Sequence, residues 1–183
     1  MEMRPATRED LDALVSLYEG ARDFMRRNGN PTQWAGEYPS RSDILADVRR
    51  GTLFVCEDRG EVVGCLCLQP GPDPTYLKIE DGAWLDDGPY FVIHRLAVRE
   101  PGHGVGGFCL DWALQSATSL RADTHRDNVP MQRLLASRGF EHCGTIHVRD
   151  GSPRMAYQLV APGQSDDSGW LSWLPWRRRG LMG

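Results

Sequence analysis

The stretch that most constrains the fold is Tyr90-Phe91-Val92-Ile93-His94-Arg95-Leu96-Ala97-Val98, followed at once by Arg99-Glu100-Pro101-Gly102-His103-Gly104-Val105-Gly106-Gly107. A near-continuous apolar run, rather than an alternating one, predicts a strand buried on both faces in the middle of a sheet. After the glycines, Phe108, Cys109, Trp112, Ala113 and Ala117 follow a helical pattern, so the unit reads as strand, glycine-rich turn, helix. Such a turn leaves backbone N–H groups unpaired at a helix N-terminus, where the helix dipole adds positive potential, and so forms an anion site from backbone. Glycines also permit tight turns for structural reasons alone, and at this level both uses stay open. No Gly-Lys-Ser/Thr follows, which excludes a P-loop, and the hairpin signal upstream does not fit a doubly wound dinucleotide fold.

The rest of the chain supplies the partners of that strand. Residues 2 to 5 read as a short first strand. Thr7-Arg8-Glu9-Asp10 offers a cap, and Leu11, Leu14, Val15, Tyr18 and Ala21 then build the apolar face of a helix. A second short helix is expected from about Ser42 to Arg50. Thr52 to Cys56 and Val62 to Leu68 read as an antiparallel hairpin around Asp58-Arg59-Gly60. The Pro- and Gly-rich excursion from Gln69 to Pro89 interrupts the pattern, with Tyr76-Leu77-Lys78-Ile79 as a candidate strand inside it. Past the central unit, a strand near Leu120 to Thr124 precedes a helix capped by Asp127 or Asn128, with Pro130 in its first turn and Gly139 at its end. Two last strands, about Phe140 to Val148 and Arg154 to Val160, flank the turn signal Asp150-Gly151. Beyond Val160 the composition becomes that of a linker, and Trp170 to Arg179 sets three tryptophans beside three arginines. The expected organisation is one domain over 1–160 and a linker with a Trp/Arg-rich tail over 161–183.

Composition removes several function classes. Lys and Arg number 21 against 25 Asp and Glu in 183 residues, so no overall basic field holds a nucleic acid. No apolar stretch reaches membrane-spanning length, and no secretory signal opens the chain, so integral membrane association is not expected. The five cysteines are odd in number and sit mostly in apolar runs, which suits a reducing cytoplasm better than a disulfide framework. Cys65 and Cys67 form a C-x-C with no second pair at metal-ligand spacing, so no metal is expected.

His94-Arg95-Leu96-Ala97-Val98 with His103-Gly104-Val105-Gly106-Gly107, and Asn128 with Leu134-Leu135 and Gly139-Phe140, resemble the two main motifs of the GNAT superfamily of acetyl-CoA-dependent N-acetyltransferases over roughly residues 1 to 160. The resemblance implies an α/β (α+β) fold, in which a mixed, mostly antiparallel sheet of six to seven strands is flanked by about four helices and splayed at the cofactor site. It implies acetyl-CoA as co-substrate, with Leu96, Ala97 and Val98 along the pantetheine, Gly102, His103, Gly104, Val105, Gly106 and Gly107 at the pyrophosphate, and Asn128 opening the following helix nearby. Two departures stand out. Pro101 and His103 replace residues common in that turn, and Leu135 falls where the family often has a tyrosine that reprotonates the departing thiolate.

Acetyl transfer to an amine needs a base, because the nucleophile is mostly protonated near neutral pH. His94, which strand alternation places on one face with Val92, Leu96 and Val98 and opposite Arg95, is the first candidate, and the arylalkylamine branch of the family is similar in carrying a catalytic histidine before Leu-Ala-Val. A buried histidine satisfied by backbone is the equally weighted alternative. His125, in Asp123-Thr124-His125, is the second candidate for the proton chemistry, oriented by Asp123, or else part of a polar cluster at the helix cap. Trp34 and Tyr38 in the turn-rich segment 28–39, and Glu80 in the excursion, are expected at the acceptor, with Glu37, Asp81, Asp86 and Asp87 making these segments acidic enough for a cationic amine. Trp34 and Tyr38 pinning their loop to the core is the competing use. The expected function is transfer of an acetyl group from acetyl-CoA to a small-molecule or peptide amine by direct attack in a ternary complex. The alternatives are a non-catalytic acyl-CoA-binding module, or an interaction protein working through its tail. A homodimer is compatible with an exposed sheet edge and the tryptophan tail.

Overall fold

In the computed structural model, which describes residues 1–160, the apolar run becomes β4 (Phe91–Val98), the fourth of seven strands in a single sheet. The others are β1 (Glu2–Pro5), β2 (Leu53–Asp58), β3 (Glu61–Pro70), β5 (Ser119–Thr124), β6 (Glu141–His147) and β7 (Pro153–Val160). Their order across the sheet is β1-β2-β3-β4-β5-β7-β6, and every neighbouring pair is antiparallel except β4 and β5. Four α-helices flank it: α1 (Leu11–Arg27), α2 (Arg41–Arg50), α3 (Val105–Leu114) and α4 (Val129–Ser137). The expected mixed, mostly antiparallel sheet with about four helices is therefore found. The linker and Trp/Arg tail expected over 161–183 lie outside the described residues.

Two cores form because the sheet is apolar on both faces. On one, Leu66, Leu68 and Ile93 pack with Leu110 of α3 and Leu135 of α4. On the other, Val55 and Ala97 pack with Leu14, Leu17 and Tyr18 of α1 and Ile44 of α2. The helix ends are set locally. Ser40 caps α2 by accepting from the Asp43 N–H, and Asn128 caps α4 by accepting from the Met131 N–H.

The excursion after β3 is not the strand that Tyr76 to Ile79 suggested. Asp73 caps a single 3-10 turn, Pro74–Tyr76, by accepting from the Thr75 N–H, and the chain then pairs with the sheet backbone at a bridge between Glu80 and Thr145 and meets the side chains of Arg121 and Gln158 at Leu85 and Asp86. It stays in place because its aromatics cover the sheet beside β4: Tyr76 packs with Val92, Ile146 and Ala156, and the Arg121 guanidinium lies between the rings of Trp84 and Tyr90, 4.1 and 3.8 Å from their centroids.

Two irregularities in β4 shape the centre of the sheet. Its pairing with β5 runs through Phe91↔Leu120, Val92↔Arg121 and Ile93↔Ala122 and then stops, so the two strands part beyond Ile93. Against β3, Cys67 pairs with His94 but Cys65 with Ala97, so β4 carries one extra residue, and Arg95 has φ +53°. The bulge resets the alternation. Phe91, Ile93, Leu96 and Val98 pack on the α3 side, whereas Val92 and Ala97 pack on the other. His94 and Arg95 both take their contacts on that second side, from Asp73 and Asp47 respectively. The expected grouping of His94 with Leu96 and Val98, opposite Arg95, is thereby corrected.

Candidate active site

Where β4 and β5 part, the strand ends and the start of α3 open into a cleft of about 1520 Å³, large enough for a long ligand and a second molecule. Leu96, Ala97 and Val98 line it from β4, and Pro101, Gly102, Gly104, Gly106 and Gly107 from the turn. Gly102 and Gly104 have φ of +94° and +80°, and a side chain at either would meet no atom within 4 Å. These two glycines are thus required by backbone conformation and not by crowding, and the space beside them is open. The first N–H groups of α3 have no intrahelical acceptor and face the turn, as a helix start dictates. Beyond Ile93 the β5-facing edge of β4 is unpaired over Leu96 to Val98. An extended amide-bearing arm along that edge and a phosphate at the turn fit these free groups. Val105 is buried, and the His103 side chain is exposed, with Glu100 Oε2 3.6 Å from its Nε2.

On the opposite side of β4, His94 lies at the cleft between two carboxylates. Its Nε2 is 3.0 Å from Asp73 Oδ2 and its Nδ1 is 3.8 Å from Asp123 Oδ1. Asp123 Oδ1 accepts from the Tyr76 hydroxyl at 2.7 Å, and the Tyr76 ring meets the imidazole edge-on. Burial, reinforced by Asp123, pushes Tyr76 well above its ordinary value, so it remains a donor. Asp73 is half-buried. Burial alone would raise it, but hydrogen bonds from His94 and from Thr75 (N–H 2.9 Å, hydroxyl 2.6 Å) outweigh that and hold it below the usual carboxylate range. An ionised carboxylate only accepts, so the 3.0 Å contact places a proton on Nε2, and Nδ1, 3.8 Å from Asp123 Oδ1, makes no hydrogen bond.

Arg95 is held on the same face. Asp47 pairs with its guanidinium and with Arg50, Tyr38 Oη accepts from Arg95 Nε at 2.9 Å, and the Tyr18 hydroxyl donates to the Arg95 carbonyl at 3.2 Å. Tyr38 therefore ties segment 28–39 to β4. Gln33 ties it to α4: its Oε1 accepts from Asn30 Nδ2 (2.8 Å), Asn128 Nδ2 (2.9 Å) and the His125 N–H (3.4 Å). Trp34 packs edge-on against Tyr18, and it and Tyr38 both line the cleft.

The cleft thus gathers His94, Leu96, Ala97, Val98, Gly102, Gly104, Gly106, Gly107, Asn128, Trp34 and Tyr38 from the residues singled out in the sequence. His125 stands apart. It contacts Asp127, Nδ1 to Oδ2 at 3.3 Å, while Asp123, expected to orient it, serves Tyr76 and His94 instead. Glu80 pairs with Lys78 at the surface and is not among the cleft residues. Leu135 is fully buried in the core. Sequence reasoning missed Asp73, Asp47, Gln33 and Tyr76. The Asp73-Pro74-Thr75 capping signal marks a turn, but nothing local indicates that it faces β4.

The comparisons with known proteins agree with this architecture. The family model described as the acetyltransferase (GNAT) family matches residues 14–140, well over half of the chain. An acetyltransferase of that family from Streptococcus agalactiae 2603 is similar in structure with a TM-score of 0.82 and 29% identity, over 88% of this chain and 96% of that one. A ribosomal-protein-alanine N-acetyltransferase from Brucella melitensis matches with a TM-score of 0.58 and 22% identity, over 87% and 99% of the two chains. The GNAT-like decarboxylase GphF, in complex with isobutyryl-CoA, matches with a TM-score of 0.63 and 18% identity, over 87% and 99%. No curated protein matches the chain in sequence.

Proposed function

Since this chain belongs to the acetyltransferase (GNAT) family, we propose that it moves an acetyl group from acetyl-CoA to an amine by direct attack in a ternary complex, with His94 as the base. The observation that carries this reading is the placement of His94 at the cleft, Nε2 held 3.0 Å from Asp73 and Nδ1 free beside Asp123.

Acetyl-CoA supplies the activated acyl carbon as a thioester. The free backbone groups of Leu96 to Val98 hold its pantetheine arm, and the amides from Gly102 to Gly107 hold the pyrophosphate. Asp73 and Asp123 attract a protonated amine, and His94 Nδ1 takes the proton that must leave before nitrogen attacks carbon. The imidazolium so formed lies between two carboxylates that stabilise it. With Leu135 in the place of an acid, His94 is also the group that returns a proton to the departing thiolate.

A covalent enzyme intermediate is disfavoured by the thiols. Cys67 lines the cleft, but burial, with Asp47 beside it, pushes it well above the ordinary value, and burial pushes Cys65 up to about 12, so neither is a thiolate near neutral pH. The test is acetyl-CoA turnover with a panel of amines by wild type and His94→Gln. Turnover is expected to fall by roughly 10²-fold or more while acetyl-CoA affinity, read by thermal shift, is retained. Equal turnover by the variant removes His94 from the role. No turnover by the wild type with any amine, alongside acetyl-CoA binding, favours the binding-module alternative.

A further inference from the structure

We infer that the acceptor is an amine bearing a carboxylate, an amino acid or a close relative, whose anionic group is received by Arg154. The inference rests on the acetyl-transfer reading of the His94 site and specifies its substrate.

Arg154 lines the same cleft and is only 8% exposed. Its Nη1 donates to Ser152 Oγ and to the Pro153 carbonyl, both at 2.9 Å. Among the described residues no carboxylate comes within 4 Å of its guanidinium, and Nε and Nη2 make no hydrogen bond. Asp150, which also lines the cleft, is joined to it through Ser152, whose N–H and hydroxyl Asp150 accepts, and feels its charge without touching it. Arg95 and Arg50, also at the cleft, are both in contact with Asp47, and Arg133 and Arg149 are exposed, so among the cleft cations Arg154 is the buried one with no carboxylate in contact. A mostly buried guanidinium whose free nitrogens reach the cleft gains from an anionic ligand group seated against it.

Its position relative to the chemistry is set by register. Asp123 of β5 pairs directly with Ala156 of β7, and Tyr76, the donor to Asp123, packs on Ala156, so both lie on the face that carries His94. Arg154, two residues from Ala156 along β7, shares that face and is the diagonal neighbour of Asp123, at a typical spacing of roughly 7–8 Å. The site therefore presents two carboxylates and a histidine at one point and a buried guanidinium with free donors one diagonal step away. A zwitterion matches this charge pattern pole for pole and enters without adding net charge. A guanidinium fork suits a planar carboxylate. A dianionic phosphate would bring a second negative charge toward Asp123 and Asp150 with no second buried cation to meet it.

The experiment measures kcat/KM with saturating acetyl-CoA for a panel of L-amino acids, each beside the amine left by removing its carboxylate, in wild type, Arg154→Met and Arg154→Lys. A wild-type preference for an amino acid over its amine is expected, about 10–100-fold for the loss of one charge-assisted contact. Arg154→Met brings that ratio toward one, mainly through the KM of the amino acid, and Arg154→Lys restores part of it. An aminophosphonate preferred over the matching amino acid, or a ratio that Arg154→Met does not alter, overturns the assignment. Should Arg154→Met fail to fold, the wild-type ratio decides, and amines turned over as well as their amino acids reject the inference while leaving the acetyltransferase reading intact. Acetyl-CoA binding without turnover of either class rejects both.

Discussion

His94 and Asp73 meet across the gap between the central strand and the turn after β3, with Nε2 and Oδ2 3.0 Å apart. Asp73 is not a loose surface carboxylate that happens to reach an imidazole. It caps its own turn through Thr75, receives Gln69 Nε2 at 3.2 Å on the same oxygen that faces His94, and its N–H donates to the Tyr90 hydroxyl at 3.3 Å. Every neighbour of the carboxylate is a donor, so it is locked as an acceptor, and His94 has one tautomer and one ring orientation.

Asp73→Asn is expected to lower kcat with the best acceptor by about 10–100-fold, because the amide accepts more weakly and lets the ring choose the other tautomer. Asp73 acts through His94, so the KM for acetyl-CoA, set at the 102–107 turn, is expected to move little. Steady-state kinetics with each substrate varied in turn checks this. A loss that falls on the acetyl-CoA KM instead would point to a structural collapse of the cleft.

Gly104→Ala probes the turn. Its φ of +80° is disfavoured for any residue with a Cβ, yet the Cβ itself meets no atom within 4 Å. The expected cost is therefore backbone strain, about 1–2 kcal/mol of stability, without a packing defect. If the turn relaxes to relieve it, the amides lose their alignment and acetyl-CoA binds more weakly, which calorimetric titration reads. Full stability with full affinity would show that alanine takes the left-handed conformation there without penalty.

The N-terminal strand carries a pH-dependent clamp. The Arg4 guanidinium, donating to both Asp10 oxygens at 2.8 Å, together with the Thr7 N–H, holds Asp10 below its ordinary value against the opposing effect of burial. A carboxylate depressed in the folded state contributes stability above its unfolded pKa of about 3.9, and loses it as pH falls through the folded value. Asp10→Asn is expected to cost about 2 kcal/mol at pH 7, and the gap to wild type is expected to narrow below about pH 4. Urea melts at pH 7 and pH 3.5 check the sign. A gap that widens in acid would contradict it.

The glycine turn, the central strand and the two helix patterns after it are legible in the sequence because each rests on local signals: an unbroken apolar run, glycines, Asn128 with Pro130. The side of β4 on which Arg95 lies is not legible. It depends on a one-residue bulge fixed by the register against β3, with Cys65↔Ala97 and Cys67↔His94, and no residue of β4 announces it. The partners of His94 are hidden for a related reason. Asp73 arrives from 21 residues upstream, through an excursion held down by Tyr76, Trp84 and Tyr90 rather than by strand pairing. Asp123 precedes His125 by two residues and looks like its partner in sequence, but strand alternation points it to the face of Val92 and His94.

Gln33 is the residue that ties the strap over the cleft to the start of α4. Its single oxygen accepts from Asn30, Asn128 and the His125 N–H, joining segment 28–39 to the capped start of α4. Asn30 is 2% exposed, so without Gln33 a buried amide donor has no acceptor. Gln33→Leu is expected to lose about 1–3 kcal/mol of stability and to raise the KM for the acceptor, because Trp34 and Tyr38 then remain anchored through Tyr18, Arg22 and Arg95 without the link to α4. Gln33→Glu keeps an acceptor oxygen in the same place, and its stability and KM are expected to lie close to wild type. Hydrogen exchange over 28–39 distinguishes the causes. Faster exchange confined to this segment and the first turn of α4 in Gln33→Leu, absent from Gln33→Glu, supports the strap. Equal protection in both variants would mean that the contacts of Tyr38 with Arg95 and Arg22 hold the segment without Gln33.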